Sequence, residues 1–262
     1  MHEDFGWAAD KPLVTPEVRC RVKVKGVSAP TDLCVTFNGK ALRDGKKAGE
    51  WLKAGVDAGD TKPEVVYNYA VSLIREGKFH AAIPSLKSVT AQLPDFAQAW
   101  IALAQCYQKT KQYTKAVEPY ERAFDLQPDP KLAFHLGSVA KNAKQYDKSI
   151  EAYGKALELD PNYTSAQYNL SLALMKADRY EEAVAAFDKL IEMEGDSYRA
   201  YYSQGLSYYY MGDYDGALES YDMALEQKET KNVLNNIGLV YDKLGNKKEA
   251  AVWYEKAKKV GG

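Results

Sequence analysis

The chain has 262 residues, with 35 Lys or Arg against 36 Asp or Glu and a formal net charge of −1. That balance gives no chain-wide basic field for nucleic acid, and three cysteines make no disulfide framework. No apolar run reaches the roughly 18 residues of a membrane helix, no secretory apolar region occurs, and Glu3, Asp4 and Asp10 open the chain, so a soluble, intracellular, cytoplasmic protein is expected.

Residues 1–16 carry no periodic pattern and are expected to be a flexible extension. Residues 17–62 read as a small basic β element with a short helix. Val18, Cys20, Val22 and Val24 alternate with Arg19, Arg21, Lys23 and Lys25, the period of a strand with one apolar and one basic face. Leu33, Val35 and Phe37 continue as a second strand, Asn38 and Gly39 supply a turn signal, and a helix is expected over Ala48 to Gly55 with Trp51 and Leu52 on one side. From Glu17 to Ala54 nine basic residues stand against four acids, so the basic character is concentrated here. So small a sheet is marginal alone, which makes it a cap for the following element or a docking surface for a partner. Arg19, Arg21, Lys23 and Lys25 are candidate contacts for an anionic surface such as nucleic acid or a filament. The plainer reading is a solvated edge strand protected by its charge. The run from Val35 to Gly45 is similar to part of ubiquitin-like folds, but the segment before it is too short for the hairpin and long helix such a fold requires.

From Pro63 onward a pattern recurs every 33 or 34 residues, dividing the chain into units 63–96, 97–129, 130–163, 164–197, 198–230 and 231–262. Position 8 of each unit is small: Ala70, Ala104, Gly137, Ser171, Gly205 and Gly238. Position 20 is small as well, as Ala82, Ala116, Ser149, Ala183, Ala217 and Ala250, while position 24 is Leu86, Tyr120, Tyr153, Phe187, Tyr221 and Tyr254. Each unit holds two stretches of helical apolar spacing, separated in three units by Gly77, Gly212 with Asp213, and Gly245 with Asn246. Two antiparallel helices per unit follow, with close axes at the small residues and aromatic rings filling the remaining volume. Pro94, Pro128 and Pro161 end the second helix of their units, because proline lacks the donor and clashes with the preceding turn.

The second unit reads Trp100, Leu103, Ala104, Tyr107, Ala116, Tyr120, Ala123 and Pro128, and this register resembles the tetratricopeptide repeat family over residues 63–262. The resemblance implies a mainly α fold, a right-handed solenoid of six helix-turn-helix repeats, preceded here by the small β-hairpin-containing element. It also implies that the first helices line a concave groove, with positions 2, 5, 6, 9, 12 and 13 facing an extended segment or helix of a protein partner. Position 5 offers Tyr67, Phe134, Tyr168, Tyr202 and Asn235, and position 6 offers Asn68, His135, Asn169, Ser203 and Asn236. Arg199, Tyr209 and Tyr210 of the fifth unit join them. Short amides and hydroxyls can hydrogen-bond an extended backbone, and tyrosines give large contact area at low entropic cost. The carboxylate clamp for chaperone tails found in this family is not completed: units three to five supply only Asn169 and Arg199 of its five positions. Position 28, apolar as Phe124, Leu157, Ile191 and Leu225, becomes Lys258 in the sixth unit, the pattern of a terminal repeat facing water.

Chemistry-bearing constellations are not found. His2, His80 and His135 are scattered, and neither Cys-x-x-Cys nor Gly-x-Ser-x-Gly occurs. Five residues separate Gly39 from Gly45 where a phosphate loop needs four, and Lys47 stands at its Ser/Thr position. The sequence therefore reads as a non-enzyme without metal or cofactor: an interaction scaffold, as a subunit or assembly factor of a multiprotein complex. The alternatives are a chaperone or targeting-signal receptor for short peptides, or an adaptor that binds nucleic acid or a filament through the basic strand.

Overall fold

The structure is a computed structural model that describes residues 18–22, 31–35, 45–57, 59 and 61–260. The backbone forms two strands, β1 (Val18–Val22) and β2 (Thr31–Val35), paired antiparallel with Val18 opposite Val35. Their connection, the Asn38–Gly39 turn and the extension 1–16 lie outside the described residues, so a hairpin is not shown. Of the basic quartet, Lys23 and Lys25 also lie outside, and the side chains of Arg19 and Arg21 are not described.

Thirteen helices follow among the described residues, a single leader and then six pairs, an all-helical repeat solenoid. The leader α1 (Gly45–Asp57) buries Leu52 against Val65 of the next helix, with Val56 and Tyr69 packed alongside. The pairs are α2 (Pro63–Arg75) with α3 (Phe79–Gln92), α4 (Ala97–Lys109) with α5 (Tyr113–Leu126), and α6 (Pro130–Asn142) with α7 (Tyr146–Leu159). Then come α8 (Thr164–Lys176) with α9 (Tyr180–Glu194), α10 (Tyr198–Met211) with α11 (Tyr214–Gln227), and α12 (Lys231–Lys243) with α13 (Lys247–Lys259). The chain forms two compact units: one up to Pro128, holding α1–α5, and one from Asp129, holding α6–α13.

Each pair closes through the same turn. A residue in the left-handed region ends the first helix, and the next residue donates its backbone N–H to the carbonyl five residues back, as in Lys78 to Leu73, Gln145 to Ala140 and Asn246 to Tyr241. Glycine fills the left-handed place at Gly77, Gly212 and Gly245, where it costs least. Lys111, Lys144 and Asp178 fill it in the other three pairs, at φ 59°, 60° and 58°. These three turns hold a conformation that a Cβ disfavours, and the flanking helices carry that cost. The second helices stop two residues short of Pro94, Pro128 and Pro161. Pro84 and Pro119 instead lie inside α3 and α5, where each removes one backbone donor.

In three pairs the core sets a glycine of the first helix under a ring of the second. A Cβ added at Gly137 would lie 2.7 Å from the Tyr153 ring, at Gly205 2.6 Å from Tyr221, and at Gly238 2.6 Å from Tyr254. Ser149 supports the same crossing by donating its hydroxyl to the Gly137 carbonyl at 2.8 Å. Ile191 packs on the core of its own pair and on that of the next, which joins the repeats around α9 and α10.

Gly205→Ala places a methyl in the Tyr221 ring and is expected to lower stability by about 1–3 kcal/mol. Gly154→Ala, in α7 where an added methyl meets nothing within 4 Å, is expected to raise it by about 0.5–1 kcal/mol. Urea melts followed by circular dichroism check the contrast.

Candidate partner-binding face

The first helices of successive pairs in the second unit present one continuous strip of polar and aromatic side chains. Three cross-helix contacts knit it together. Lys141 on α6 donates to Asn169 Oδ1 on α8 at 2.6 Å. The Arg199 guanidinium on α10 lies 4.5 Å from the centre of the Tyr168 ring on α8, a cation–π arrangement. Asn236 on α12 donates Nδ2 to the Tyr202 hydroxyl on α10 at 3.2 Å.

Several side chains that the sequence assigns to this face contribute little surface. Tyr67 and Phe134 are buried: Tyr67 meets Phe96 edge-on at 4.9 Å, and Phe134 packs on Tyr153 and Tyr163. Ser203 is buried too, and its carbonyl accepts from Ser207 Oγ. Asn68, His135, Tyr168, Asn169, Tyr202, Tyr209, Asn235 and Asn236 are half-buried, and Arg199 and Tyr210 are exposed. Asn68 belongs to the first unit, and the rest to the second.

Both polar ends of Asn169 are engaged, since Nδ2 donates to the Ser165 carbonyl at 2.8 Å while Oδ1 takes the lysine. Asn169 is thus locked in orientation rather than free. Arg199 also donates to Glu194 Oε1 at 2.7 Å, which holds the guanidinium over Tyr168.

The tyrosines of α10 divide by role. Tyr201 is buried and donates to Asp196 at 2.8 Å. Tyr202 stacks on Tyr198 with centroids 5.7 Å apart and planes 10° off parallel. Tyr210 is 59% exposed, stacks on Tyr180 at 5.6 Å, and meets Tyr209 edge-on. An exposed aromatic platform held by its neighbours is a suitable anchor for a partner side chain.

Of the position-12 residues the sequence names only Tyr209, yet in three other pairs the residue there meets the position-24 ring of the same pair. Tyr120 donates to Gln108 at 2.7 Å and Tyr254 to Asp242 at 2.8 Å. Lys141 lies 5.9 Å from the Tyr153 ring centre. Burial drives the Lys141 pKa below its ordinary value, and burial pushes the Tyr153 and Tyr221 phenols up. The only signal for this in the sequence is the register itself, which brings positions 12 and 24 together.

Among the described residues no group of three His, Cys, Asp or Glu side chains is placed to hold a metal ion, and no helix is long and apolar enough to cross a membrane.

Family models described as tetratricopeptide repeat match residues 73–135, 142–204, 198–231 and 232–260. No curated protein matches the sequence. Among solved structures, YrrB, described as a TPR protein with an unusual peptide-binding site, is 21% identical with a TM-score of 0.57, over 69% of this chain and 93% of its own. A MamA protein is 26% identical with a TM-score of 0.57, over 66% of this chain and 95% of its own. A tetratricopeptide repeat protein from Parabacteroides merdae is 20% identical with a TM-score of 0.52, over 86% of this chain and 90% of its own.

Burial pushes the Tyr67 phenol up to about 12, and burial together with the Asp242 carboxylate does the same for Tyr254. A raised phenol holds its proton more tightly in the folded chain than in the unfolded one. These groups leave stability unchanged below pH of about 10 and erode it as pH rises from there through about 12. Phenolate absorbance in the native protein should lag behind that of the guanidinium-unfolded chain, with the urea midpoint falling over the same interval.

Proposed function

Because this chain belongs to the tetratricopeptide repeat family, we propose that it is a non-catalytic interaction scaffold, a subunit or assembly factor that holds an extended segment or helix of a protein partner along its first helices. The observation that carries this reading is the strip itself: Lys141–Asn169, Arg199–Tyr168 and Asn236–Tyr202 join α6, α8, α10 and α12 into one half-buried surface. Its side chains are fixed by each other before any partner arrives, so little rotamer entropy remains to be lost on binding. The exposed Tyr210 platform and the Arg199 guanidinium are the contact points with most free surface. That YrrB is described as having a peptide-binding site fits the same use of the fold. The right-handed course of the solenoid, the repeat boundaries at residues 63, 97, 130, 164, 198 and 231, and an N-terminal β element that caps the repeats belong to this proposal.

Peptide display against the purified full chain tests it. Selected peptides are expected to lose about tenfold or more in affinity, some 1.4 kcal/mol, for the double variant Arg199→Ala/Tyr210→Ala. The thermal midpoint should stay close to that of the parent, because neither side chain is in the core. Equal affinity for parent and variant would place recognition away from this strip.

A further inference from the structure

Lys141 is a half-buried cation of the strip whose two contacts are both neutral. Its ammonium has three N–H donors, and one goes to Asn169 Oδ1 at 2.6 Å. Its other neighbour is the face of the Tyr153 ring, 5.9 Å away at the centroid. Among the described residues no carboxylate pairs with it, and burial is the sole cause of its lowered pKa. Two other cations of this unit are paired with carboxylates: Arg199 with Glu194 at 2.7 Å, and Arg179 with Glu182 at 2.6 Å.

Asn169 Oδ1 already accepts from the lysine, and its Nδ2 is tied to Ser165, which fixes the amide and hence the ammonium. Beneath the lysine the Tyr153 hydroxyl is fully buried without a well-formed hydrogen bond, although the Ser138 and Ser149 hydroxyls face it closely enough to act on its ionisation. Ser149 is committed to the Gly137 carbonyl. Among the described residues no second acceptor takes an ammonium hydrogen of Lys141. A partly desolvated charge without a counter-charge is costly, and an incoming anion removes that cost while gaining charge-assisted hydrogen bonds. One lysine balances one unit of negative charge, which selects a carboxylate.

We infer that Lys141, positioned by Asn169, is a subsite for a carboxylate of the bound partner segment, either an Asp or Glu side chain or a free C-terminus. The inference rests on the proposed use of the strip for protein segments. Lys141 stands at position 12 of its repeat, outside the positions of the carboxylate clamp, and only its positioning partner Asn169 falls on one of them.

The test reads the lysine directly, by carbon-detected titration of lysine side chains labelled with carbon-13 in the full chain, with Lys141→Gln identifying the signal. In chloride, Lys141 is expected to titrate below its ordinary value, with the signal of the exposed Lys131 as the reference. N-acetyl-alanine, which presents a C-terminal carboxylate, and N-acetyl-aspartyl amide, which presents a side-chain carboxylate, are then compared at equal ionic strength. An opposite charge within hydrogen-bond reach should raise the Lys141 midpoint by about half a pH unit or more, saturably, with Lys131 unmoved. A larger response to one probe names the source, and equal responses mean that the subsite accepts both. If neither probe moves Lys141 beyond Lys131, the carboxylate subsite is overturned, even where displayed peptides bind the strip and lose affinity in the Arg199→Ala/Tyr210→Ala variant. A Lys141 response with no peptide bound by the strip would instead keep the subsite and remove its proposed use.

Discussion

Everything else in the repeats depends on the contact between a small residue at position 8 and a large one at position 24. With no Cβ at Gly137, Gly205 or Gly238, the rings of Tyr153, Tyr221 and Tyr254 lie where a methyl would be only 2.6–2.7 Å away. Packing that tight leaves one separation and one rotation for the two helices of a pair, because interiors are close-packed and do not deform smoothly. The angular position of every other residue on the first helix is then set. Lys141 reaches Asn169, Arg199 reaches Tyr168 and Asn236 reaches Tyr202 because crossings of this kind fix the helices that carry them.

The same ring also links core to surface. A tyrosine at position 24 is long enough for its body to fill the crossing while its hydroxyl emerges beneath position 12. In two pairs the hydroxyl finds a partner there, Gln108 or Asp242. In the pairs built on Tyr153 and Tyr221 it remains buried without a well-formed hydrogen bond, with Ser138 and Ser149 facing the first and Asn236 the second. A residue that sets the fold thus also lies under the face, as Tyr153 does beneath Lys141. Substitution at position 24 would act on stability and on the face together, whereas substitution at Tyr210 or Arg199 separates the two.

The repeat was legible in the sequence because its determinants are local and periodic: small residues at positions 8 and 20 and a large one at position 24 recur at fixed spacing in all six units. Turns were legible only where glycine marks them. Lys111, Lys144 and Asp178 occupy the same left-handed place as Gly77, Gly212 and Gly245, and nothing in their residue type announces it. The face was legible as chemistry but not as state. Its register names Asn169 and Asn236 as polar, yet whether an amide is free depends on a neighbour in another repeat, here Lys141 and Tyr202. Tyr67, Phe134 and Ser203 show the reverse case, since a residue at the edge of the strip is drawn into the core when its neighbours leave room.

The internal engagement of the amides bears on how a partner would be read. A row of free asparagines grips the backbone of any extended segment and so discriminates poorly. Here the Asn169 amide is spent on Ser165 and Lys141, and Asn236 donates to Tyr202. Breaking such a bond to make another gains little net free energy, because the exchange conserves the number of hydrogen bonds. In the proposed use of the strip, affinity has to come from side chains instead: apolar area against Tyr210 and Tyr180, the guanidinium of Arg199, and a carboxylate at Lys141. These features read a pattern of aromatic or apolar contact with a negative charge at a set distance. Recognition on those terms depends on the partner's sequence more than on its backbone.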